Sequence, residues 1–206
     1  MEDANHVNWD ERYQGDAESR PWDIGTVEAE LKRIVEADLS GTKISRALDI
    51  GCGTGTNAIW LAERGIDVLG TEISPTAIAA ANKKIAGKNL SIRFIENDIV
   101  RTPPVQAGSM DFAFDRGVFH VMTAPQRGPF VKHVAQSLSD RGWWLCMAGS
   151  KDETKPADRG PPRLSATELL ASVEAEFEVQ SLRKSFFGLP DGAEYAAWTL
   201  LLRKRS

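Results

Sequence analysis

Apolar positions along the chain follow two alternating patterns. Short apolar runs with strand character occupy residues 47–50, 66–69, 90–95, 110–114 and 142–147. Apolar residues recur at helical spacing near residues 25–38, 58–62, 76–86, 126–138 and 165–175. Because strands that alternate with helices of about ten residues form βαβ units, this pattern predicts an α/β fold around a mainly parallel sheet.

The two ends of the chain depart from this alternation. Residues 178–187 and 195–203 have strand character, and the segment between them is too short for a parallel crossover, so this pair is predicted to be antiparallel. Residues 149–164 are rich in glycine, proline and charge, which predicts a mobile surface loop. The polar N-terminal stretch 1–24 carries several large aromatic residues, which argues against a disordered tail.

Composition and charge narrow the possible partners. The chain has 206 residues, which suits one domain, and its two cysteines, Cys52 and Cys146, do not indicate a disulfide scaffold. The net charge of −4 disfavours nucleic acid and anionic membrane surfaces, since both attract basic proteins. No apolar run reaches the roughly 18 residues of a membrane span, and the polar N-terminus lacks a secretory signal. We therefore expect a cytoplasmic monomer or weak homodimer without a nucleic-acid or membrane partner.

The strongest local signal is the run LDIGCGTG at residues 48–55, between the first predicted strand and its helix. Glycines let the backbone turn tightly and approach a ligand, and the following helix directs free N–H groups at that ligand. A dinucleotide fingerprint would have its third glycine at position 56, where Thr56 stands, whereas the third glycine here is Gly55. The spacing therefore argues against a pyrophosphate ligand. Cys52 is expected to be a small apolar filler and not a nucleophile.

Three acidic residues accompany this loop. Glu72 ends the second predicted strand and can bind both hydroxyls of a ribose, and Asp98 follows the third strand, where an adenine amino group can be bound. Asp49, inside the glycine run, would face an ammonium group. Three carboxylates suit a cationic amino-acid nucleoside and would repel a pyrophosphate.

These residues resemble the first motif and the strand-end acids of class I S-adenosylmethionine (SAM)-dependent methyltransferases, most strongly over residues 45–150. The resemblance implies a three-layer Rossmann-like sandwich whose seven-stranded, mostly parallel sheet has an antiparallel last strand. It also implies SAM as the cofactor and a single methyltransferase domain over 1–206, with 1–40 as an N-terminal cap segment and helix and 41–206 as the SAM-binding core. The cofactor-binding residues that it implies are Trp9, Tyr13, Trp22, Asp49, Gly51, Cys52, Gly53, Thr54, Gly55, Asn57, Glu72, Ile73, Ser74, Asn97, Asp98, Ile99, Asp115 and Arg116.

A narrower resemblance concerns the thiopurine and thiol methyltransferase branch, which includes tellurite-resistance-type relatives. It is carried by Trp9 and Tyr13, by the run PWDIG at 21–25 and by the run FDRGVFH at 114–120. In that branch the N-terminal aromatic residues cover the methionine end of SAM. The catalytic candidates are Asp115 and His120, and the substrate-binding candidates are Arg116, Phe119, His120 and Arg163. Each has a structural alternative, such as a solvated strand-end charge for Asp115 or a satisfied helix-start histidine for His120. Arg116 is expected to pair either with Asp115 or with the carboxylate of SAM.

The cofactor activates its own methyl group, so the protein mainly has to align the two reactants. A thiolate needs little help from a base, whereas an aromatic hydroxyl would profit from Asp115 or His120. We predict methyl transfer to a small-molecule acceptor, preferably a thiol, with O- or N-methylation of a small aromatic or heterocyclic metabolite as the alternative. No metal is expected, because the three histidines lack metal-ligand spacing. The rival classes are a nicotinamide-dependent oxidoreductase, a nucleic-acid or protein methyltransferase and a non-catalytic SAM-binding protein.

Overall fold

The computed structural model describes residues 7–16, 20–156, 160–189 and 191–206. Predicted features on the other positions, among them His6 and parts of the N-terminal segment and of the 149–164 loop, lie outside the described residues. The helices are α1 (Trp9–Gln14), α2 (Ala29–Arg33), α3 (Thr56–Ala62), α4 (Pro75–Ile85), α5 (Ala124–Ser137) and α6 (Ala166–Val173). The strands are β1 (Arg46–Ile50), β2 (Asp67–Glu72), β3 (Ile92–Glu96), β4 (Met110–Arg116), β5 (Leu138–Gly149), β6 (Phe177–Gly188) and β7 (Glu194–Lys204).

The strands of the described residues form one sheet of seven, in the order β3-β2-β1-β4-β5-β7-β6. Strands β1 to β5 pair with one another in parallel, and β7 is antiparallel to both β5 and β6. The predicted α/β fold with an antiparallel last strand is thereby confirmed. Ligands in such sheets bind beyond the carboxyl ends of the parallel strands.

Helices cover both faces of the sheet and give two apolar layers. One layer packs α2, α3 and α4 against residues such as Phe112 and Phe114, which point to the same face of β4. The other packs α5 and α6 against Ala113 and Trp144. Because side chains alternate along a strand, Asp115 and Arg116 at the end of β4 face opposite layers. The register of β4 decides which of the two faces the layer of α2, α3 and α4.

Local sequence explains where several elements begin. Ser74 caps α4 by accepting a hydrogen bond from the backbone of Ala77, and Pro75 occupies the first helical turn, as predicted. The helix predicted over 25–38 begins only at Ala29, where Glu28 is the capping residue, and its second half is a π-helical turn over Ile34–Asp38. Residues 25–28 are non-helical, which the periodicity of the sequence did not indicate, and the amide of Glu28 donates to the side chain of Asn57 at 2.9 Å.

The ends of the 149–164 segment are tied to the sheet. The amide of Leu164 donates to the carbonyl of Gly149 at 2.8 Å, and the amide of Ser150 donates to the carbonyl of Ala196 at 2.9 Å. Leu164 and Ser150 are both buried. Mobility of the residues between these anchors stays a prediction. Among the described residues, none of the helices combines the length and the apolar composition that a membrane span requires.

Candidate active site

The glycine loop between β1 and α3 is shaped by three left-handed residues. Gly51, Gly53 and Gly55 have φ angles of +63°, +52° and +83°. A Cβ at Gly53 would lie 2.7 Å from the hydroxyl of Tyr13, and one at Gly51 would collide with Val118. Glycine is therefore required here both by the backbone conformation and by close neighbours.

A cleft opens where this loop faces the N-terminal segment. Its empty space is about 500 Å³ when the opening to solvent is included. Of the predicted site residues, the structure gathers nine along the cleft: Tyr13, Trp22, Asp49, Gly51, Cys52, Gly53, Thr54, Asn57 and Arg116. Five further residues of the lining were missed by sequence reasoning: Asp23, Ile24, Gly25, Thr26 and Thr56.

Among the described residues that line the cleft, Asp49 is the one buried acid. Its Oδ2 atom has no hydrogen-bond partner among the described residues. Burial raises the pKa of Asp49 to about 8, and the negative charges of Asp115 and Glu72 add to that increase. A buried acid with a free oxygen at the edge of a cleft fits a cationic ligand, because an ammonium group would satisfy both its charge and its unused acceptor.

Glu72, at the end of β2, is bound by the backbone around it. Its Oε1 accepts from the amides of Ile73 at 2.7 Å and Ser74 at 3.1 Å, and its Oε2 accepts from the amide of Gly53 at 3.2 Å. Burial raises the pKa of Glu72, and the three amide bonds work against that increase. The carboxylate is thus held beside the glycine loop at the carboxyl edge of the sheet, although it is not part of the cleft lining.

The residues after β3 lie one strand further from the cleft. Asp98 accepts from the amide of Val100 at 2.9 Å and forms an ion pair with Arg101 at 3.3 Å. The neighbouring Asn97 donates to Thr102, and Ile99 is buried in the core. None of these three residues lines the cleft. Ile73, by contrast, is 37% exposed, an unusual degree for a large apolar side chain beside this edge.

The N-terminal aromatic residues form one cluster over the cleft. Trp22 packs edge-on against Trp9 and Tyr13, with ring centroids 5.5 and 6.2 Å apart, and its Nε1 donates to the hydroxyl of Tyr13 at 3.2 Å. The guanidinium of Arg12 lies over both tryptophan rings. Tyr13 and Trp22 reach the cleft, whereas Trp9 supports Trp22 from behind.

Two polar contacts hold this N-terminal segment onto the core. Asp10 accepts from the hydroxyl of Ser74 at 2.6 Å and from the amide of Thr76 at 2.9 Å, which joins α1 to the start of α4. Asp23 accepts from the hydroxyl of Thr54, 3.1 Å away, and that hydroxyl in turn accepts from Lys84. The run PWDIG at 21–25 is the sequence signal for Asp23, although the motif alone predicts only Trp22 as a site residue.

Arg116, at the end of β4, links three parts of the chain. Its Nε donates to the Glu28 carboxylate at 2.6 Å, and its other nitrogens donate to the carbonyls of Trp22 at 3.1 Å and Gly188 at 3.4 Å. The guanidinium also lies 4.9 Å from the ring centre of Phe187. The partner of Arg116 is therefore Glu28, and not Asp115 as one alternative had it.

Asp115 points to the opposite face of β4 from Arg116. Its Oδ1 accepts from the amides of Val118 and Phe119, each at 3.0 Å, and the side chain is completely buried. Burial raises the pKa of Asp115 to about 6, partly offset by these amide bonds. Asp115 therefore caps the turn after β4 and stays outside the cleft lining, so a catalytic role for it remains an untested prediction with little geometric support.

The remaining substrate-binding candidates, Phe119, His120 and Arg163, differ in burial and in their distance from the cleft. Phe119 is fully buried, 5.6 Å from Phe130 between ring centres, and belongs to the core. Arg163 is bonded to the carbonyls of Lys155 and Pro156 within the 149–164 segment, away from the cleft. His120 follows Arg116 on a short 3-10 helix, Phe119–Val121, and accepts a hydrogen bond from the amide of Gly149 at 2.7 Å. Of these residues, only His120 lies close to Arg116.

Comparison with known proteins identifies the family of the chain. Residues 4–191 match the family described as thiopurine S-methyltransferase. A 2-heptyl-1-hydroxyquinolin-4(1H)-one methyltransferase of Mycobacteroides abscessus is 27% identical over 82% of this chain and 76% of its own length. A probable thiol methyltransferase 2 of Arabidopsis thaliana is 26% identical over 79% of this chain and 69% of its own length.

The fold is also shared with solved structures. A Burkholderia thailandensis 1,6-didemethyltoxoflavin-N1-methyltransferase, solved with S-adenosylhomocysteine bound, superposes with a TM-score of 0.69 at 17% identity, over 93% of this chain and 82% of that one. Since the family match spans most of the chain, SAM is its cofactor. This chain belongs to the thiopurine S-methyltransferase family and is a SAM-dependent small-molecule methyltransferase.

Proposed function

We propose that this methyltransferase acts on the sulfur of a small thiol. The observation that carries the proposal is the composition of the acceptor side of the cleft, where Tyr13 and Trp22 stand with the cation Arg116. Aromatic rings make favourable contacts with polarisable sulfur, and the guanidinium of Arg116, although paired with Glu28, adds hydrogen-bond donors that suit a thiolate. A plant relative named as a thiol methyltransferase agrees with this choice.

We assign the cofactor to the glycine loop and the strand ends around it. Asp49 binds the ammonium group, the loop amides approach the amino-acid part, and Glu72 binds the ribose hydroxyls. Residues 97–99, together with the exposed Ile73, form the adenine side. When bound, the cofactor supplies a methyl group on a positively charged sulfur, so that the work left to the protein is alignment.

The N-terminal segment serves as a cover in this proposal. Asp10 and Asp23 attach it to α4 and to the glycine loop, and Trp22 and Tyr13 close the methionine end of the cleft. A cover that excludes water strengthens the electrostatic contacts within the cleft.

A second acceptor class is a hydroxyl or nitrogen of a small aromatic heterocycle. The Mycobacteroides abscessus relative is named for a hydroxyquinolone, which favours a flat ring between Trp22 and the side chain of Arg116. Such an acceptor differs from a thiol in needing a proton removed at neutral pH unless its hydroxyl is already acidic.

We further propose a single working domain, in the cytoplasm, as a monomer or weak homodimer without a nucleic-acid partner. The support is the continuous sheet that residues 41–206 build beneath the N-terminal cover, together with the net charge of −4.

The experiment is transfer of labelled methyl groups from SAM to a panel of thiols, halides, phenols and heterocyclic amines by the purified protein. Thiols should be labelled fastest, and labelling of phenols alone would contradict the proposal. Calorimetry tests the cofactor assignment. Glu72→Ala should weaken SAM binding at least about tenfold, whereas Glu96→Ala, at the paired position on β3 but exposed, should leave it unchanged.

A further inference from the structure

A lysine, a threonine and an aspartate form a hydrogen-bond relay across the glycine loop. The ammonium of Lys84 donates to the hydroxyl of Thr54 at 2.6 Å, and that hydroxyl lies 3.1 and 3.2 Å from the two carboxylate oxygens of Asp23. Because an ammonium group only donates and a carboxylate only accepts, the hydroxyl must accept from Lys84 and direct its own proton to Asp23. The relay formed by Lys84, Thr54 and Asp23 therefore runs in a single direction.

The middle of the relay lies in the wall of the cleft. Thr54 is 7% exposed and, like Asp23, lines the cleft. It stands between Gly53 and Gly55, both of which have left-handed backbone angles. Since glycine restrains the backbone least, the side-chain bonds of Thr54 contribute directly to fixing this part of the loop.

Lys84 belongs to a different surface. It lies in the last turn of α4, and its partly exposed side chain borders a groove that Trp60, Glu63 and Lys88 also line. It is not among the described residues that line the cleft. Its second hydrogen bond goes to the hydroxyl of Thr56, at the start of α3, at 3.2 Å. Lys84 can therefore influence the cleft only through the hydroxyl groups that it binds.

Helix α4 holds the N-terminal segment from both of its ends. At the start of the helix, the hydroxyl of Ser74 donates to Asp10 of α1 at 2.6 Å. In the last turn, Lys84 reaches Asp23 through the hydroxyl of Thr54. Of these two attachments, only the second passes through the glycine loop. It therefore couples the position of the N-terminal segment to the conformation of that loop.

Charge strengthens the relay. Partial burial of the ammonium lowers the pKa of Lys84, and the negative charge of Asp23 works against that decrease. A cation on one side of the hydroxyl and an acid on the other polarise its O–H bond toward Asp23, and charge-assisted hydrogen bonds are stronger than neutral ones. A neutral side chain at position 84 would therefore also weaken the bond between Thr54 and Asp23.

We propose that Lys84 is a positioning residue for the cofactor: through the hydroxyl of Thr54 it holds Asp23, and with it residues 21–25 of the N-terminal segment, in the closed position over the cleft. This inference rests on the proposed role of that segment as a cover and does not depend on the acceptor. Without the relay the cover opens more often, so that bound SAM leaves faster, whereas methyl transfer within the closed complex is unchanged. The loss should therefore appear in SAM affinity and in KM for SAM, and not in kcat.

A double-mutant cycle on SAM affinity, measured by calorimetry, tests the relay. Lys84→Met should weaken SAM binding about 5- to 10-fold, the usual net cost of a lost hydrogen bond, and Lys84→Arg, which keeps a cationic donor, should recover most of that loss. Lys83→Met, at the exposed neighbouring position on α4, is the matched control and should bind SAM as the wild type does. In the Thr54→Val background, Lys84→Met should cost less than about twofold, because the hydroxyl it acts through is gone. Fully additive losses would overturn the proposal.

Hydrogen exchange of the ligand-free protein tests the same attachment without cofactor or turnover. The amides of residues 22–25 should exchange faster in Lys84→Met than in the wild type and in Lys83→Met, while those of α5, on the other face of the sheet, should be unchanged and show that the fold is intact. Equal exchange of residues 22–25 in the three proteins would overturn the proposal, as would a fall in kcat at unchanged KM for SAM. A protein that binds no SAM would fail the proposed function, and the exchange rates would still decide whether Lys84 holds the cover.

Discussion

Removal of the Glu28 carboxylate should show how strongly the N-terminal segment is held on the catalytic core. The side chains of Arg116 and Glu28 are only 11% and 7% exposed, and they meet at 2.6 Å. Glu28→Ala would leave the guanidinium buried without its counter-charge, which typically costs about 3–5 kcal/mol in the free energy of unfolding. For a protein of this size that corresponds to a loss of about 6–20 °C in Tm.

Differential scanning calorimetry of Glu28→Ala and of a matched control measures this effect. The control is Glu36→Ala, whose pair with Arg64 is 52% and 37% exposed and should contribute less than about 1 kcal/mol. The double variant Glu28→Leu with Arg116→Met should regain most of the lost stability, because it leaves no unpaired charge. Equal losses of Tm for the two single glutamate variants would refute the reasoning.

Three further predictions concern the glycine loop and its cover. Because the pKa of Asp49 is raised from 3.8 to about 8, the side chain of the free protein keeps its proton at pH 7. Calorimetry should therefore show SAM affinity rising from pH 6 to pH 8 with release of a proton, and the stability of the ligand-free protein falling between about pH 4 and pH 8. Asp49→Asn should lose both pH dependences. Gly53→Ala should be less stable in urea than Gly87→Ala, since both have positive φ but only the first meets Tyr13, and equal midpoints would contradict that contact. Asp10→Ala should speed proteolysis of the N-terminal segment, because α1 loses its bonds to the start of α4; an unchanged cleavage rate would argue against that attachment.

The alternating direction of side chains along β4 is one feature of the site that the sequence alone could not assign. Asp115 and Arg116 are adjacent, so their side chains point to opposite faces of the sheet, but the run FDRGVFH does not say which face carries the cleft. The register with β1, in which Ile50 pairs with Asp115, puts Arg116 on the same face as Asp49. Asp115, which its sequence position made a catalytic candidate, consequently faces the apolar layer formed with α5 and α6.

Only some of the residues that form the N-terminal cover could be predicted from the sequence, for a similar reason. The aromatic residues Tyr13 and Trp22 were identifiable from their motif, but Asp23 and Glu28 had no feature that marked them as partners of Thr54 and Arg116. Such pairs join positions far apart in the chain, 88 residues apart for Arg116 and Glu28, and only the packed structure brings them together.

Sequence by itself determined the features that arise from neighbouring residues. The order of strands and helices, the cap of α4 and the glycine loop follow from hydrophobic spacing and from backbone preferences that act over a few positions. Tertiary structure alone decided the properties that depend on burial and on distant partners. The raised pKa of Asp49 and the hydrogen bond from Gly149 to His120 both result from groups that other strands bring into contact, because desolvation and hydrogen bonding are set by three-dimensional surroundings.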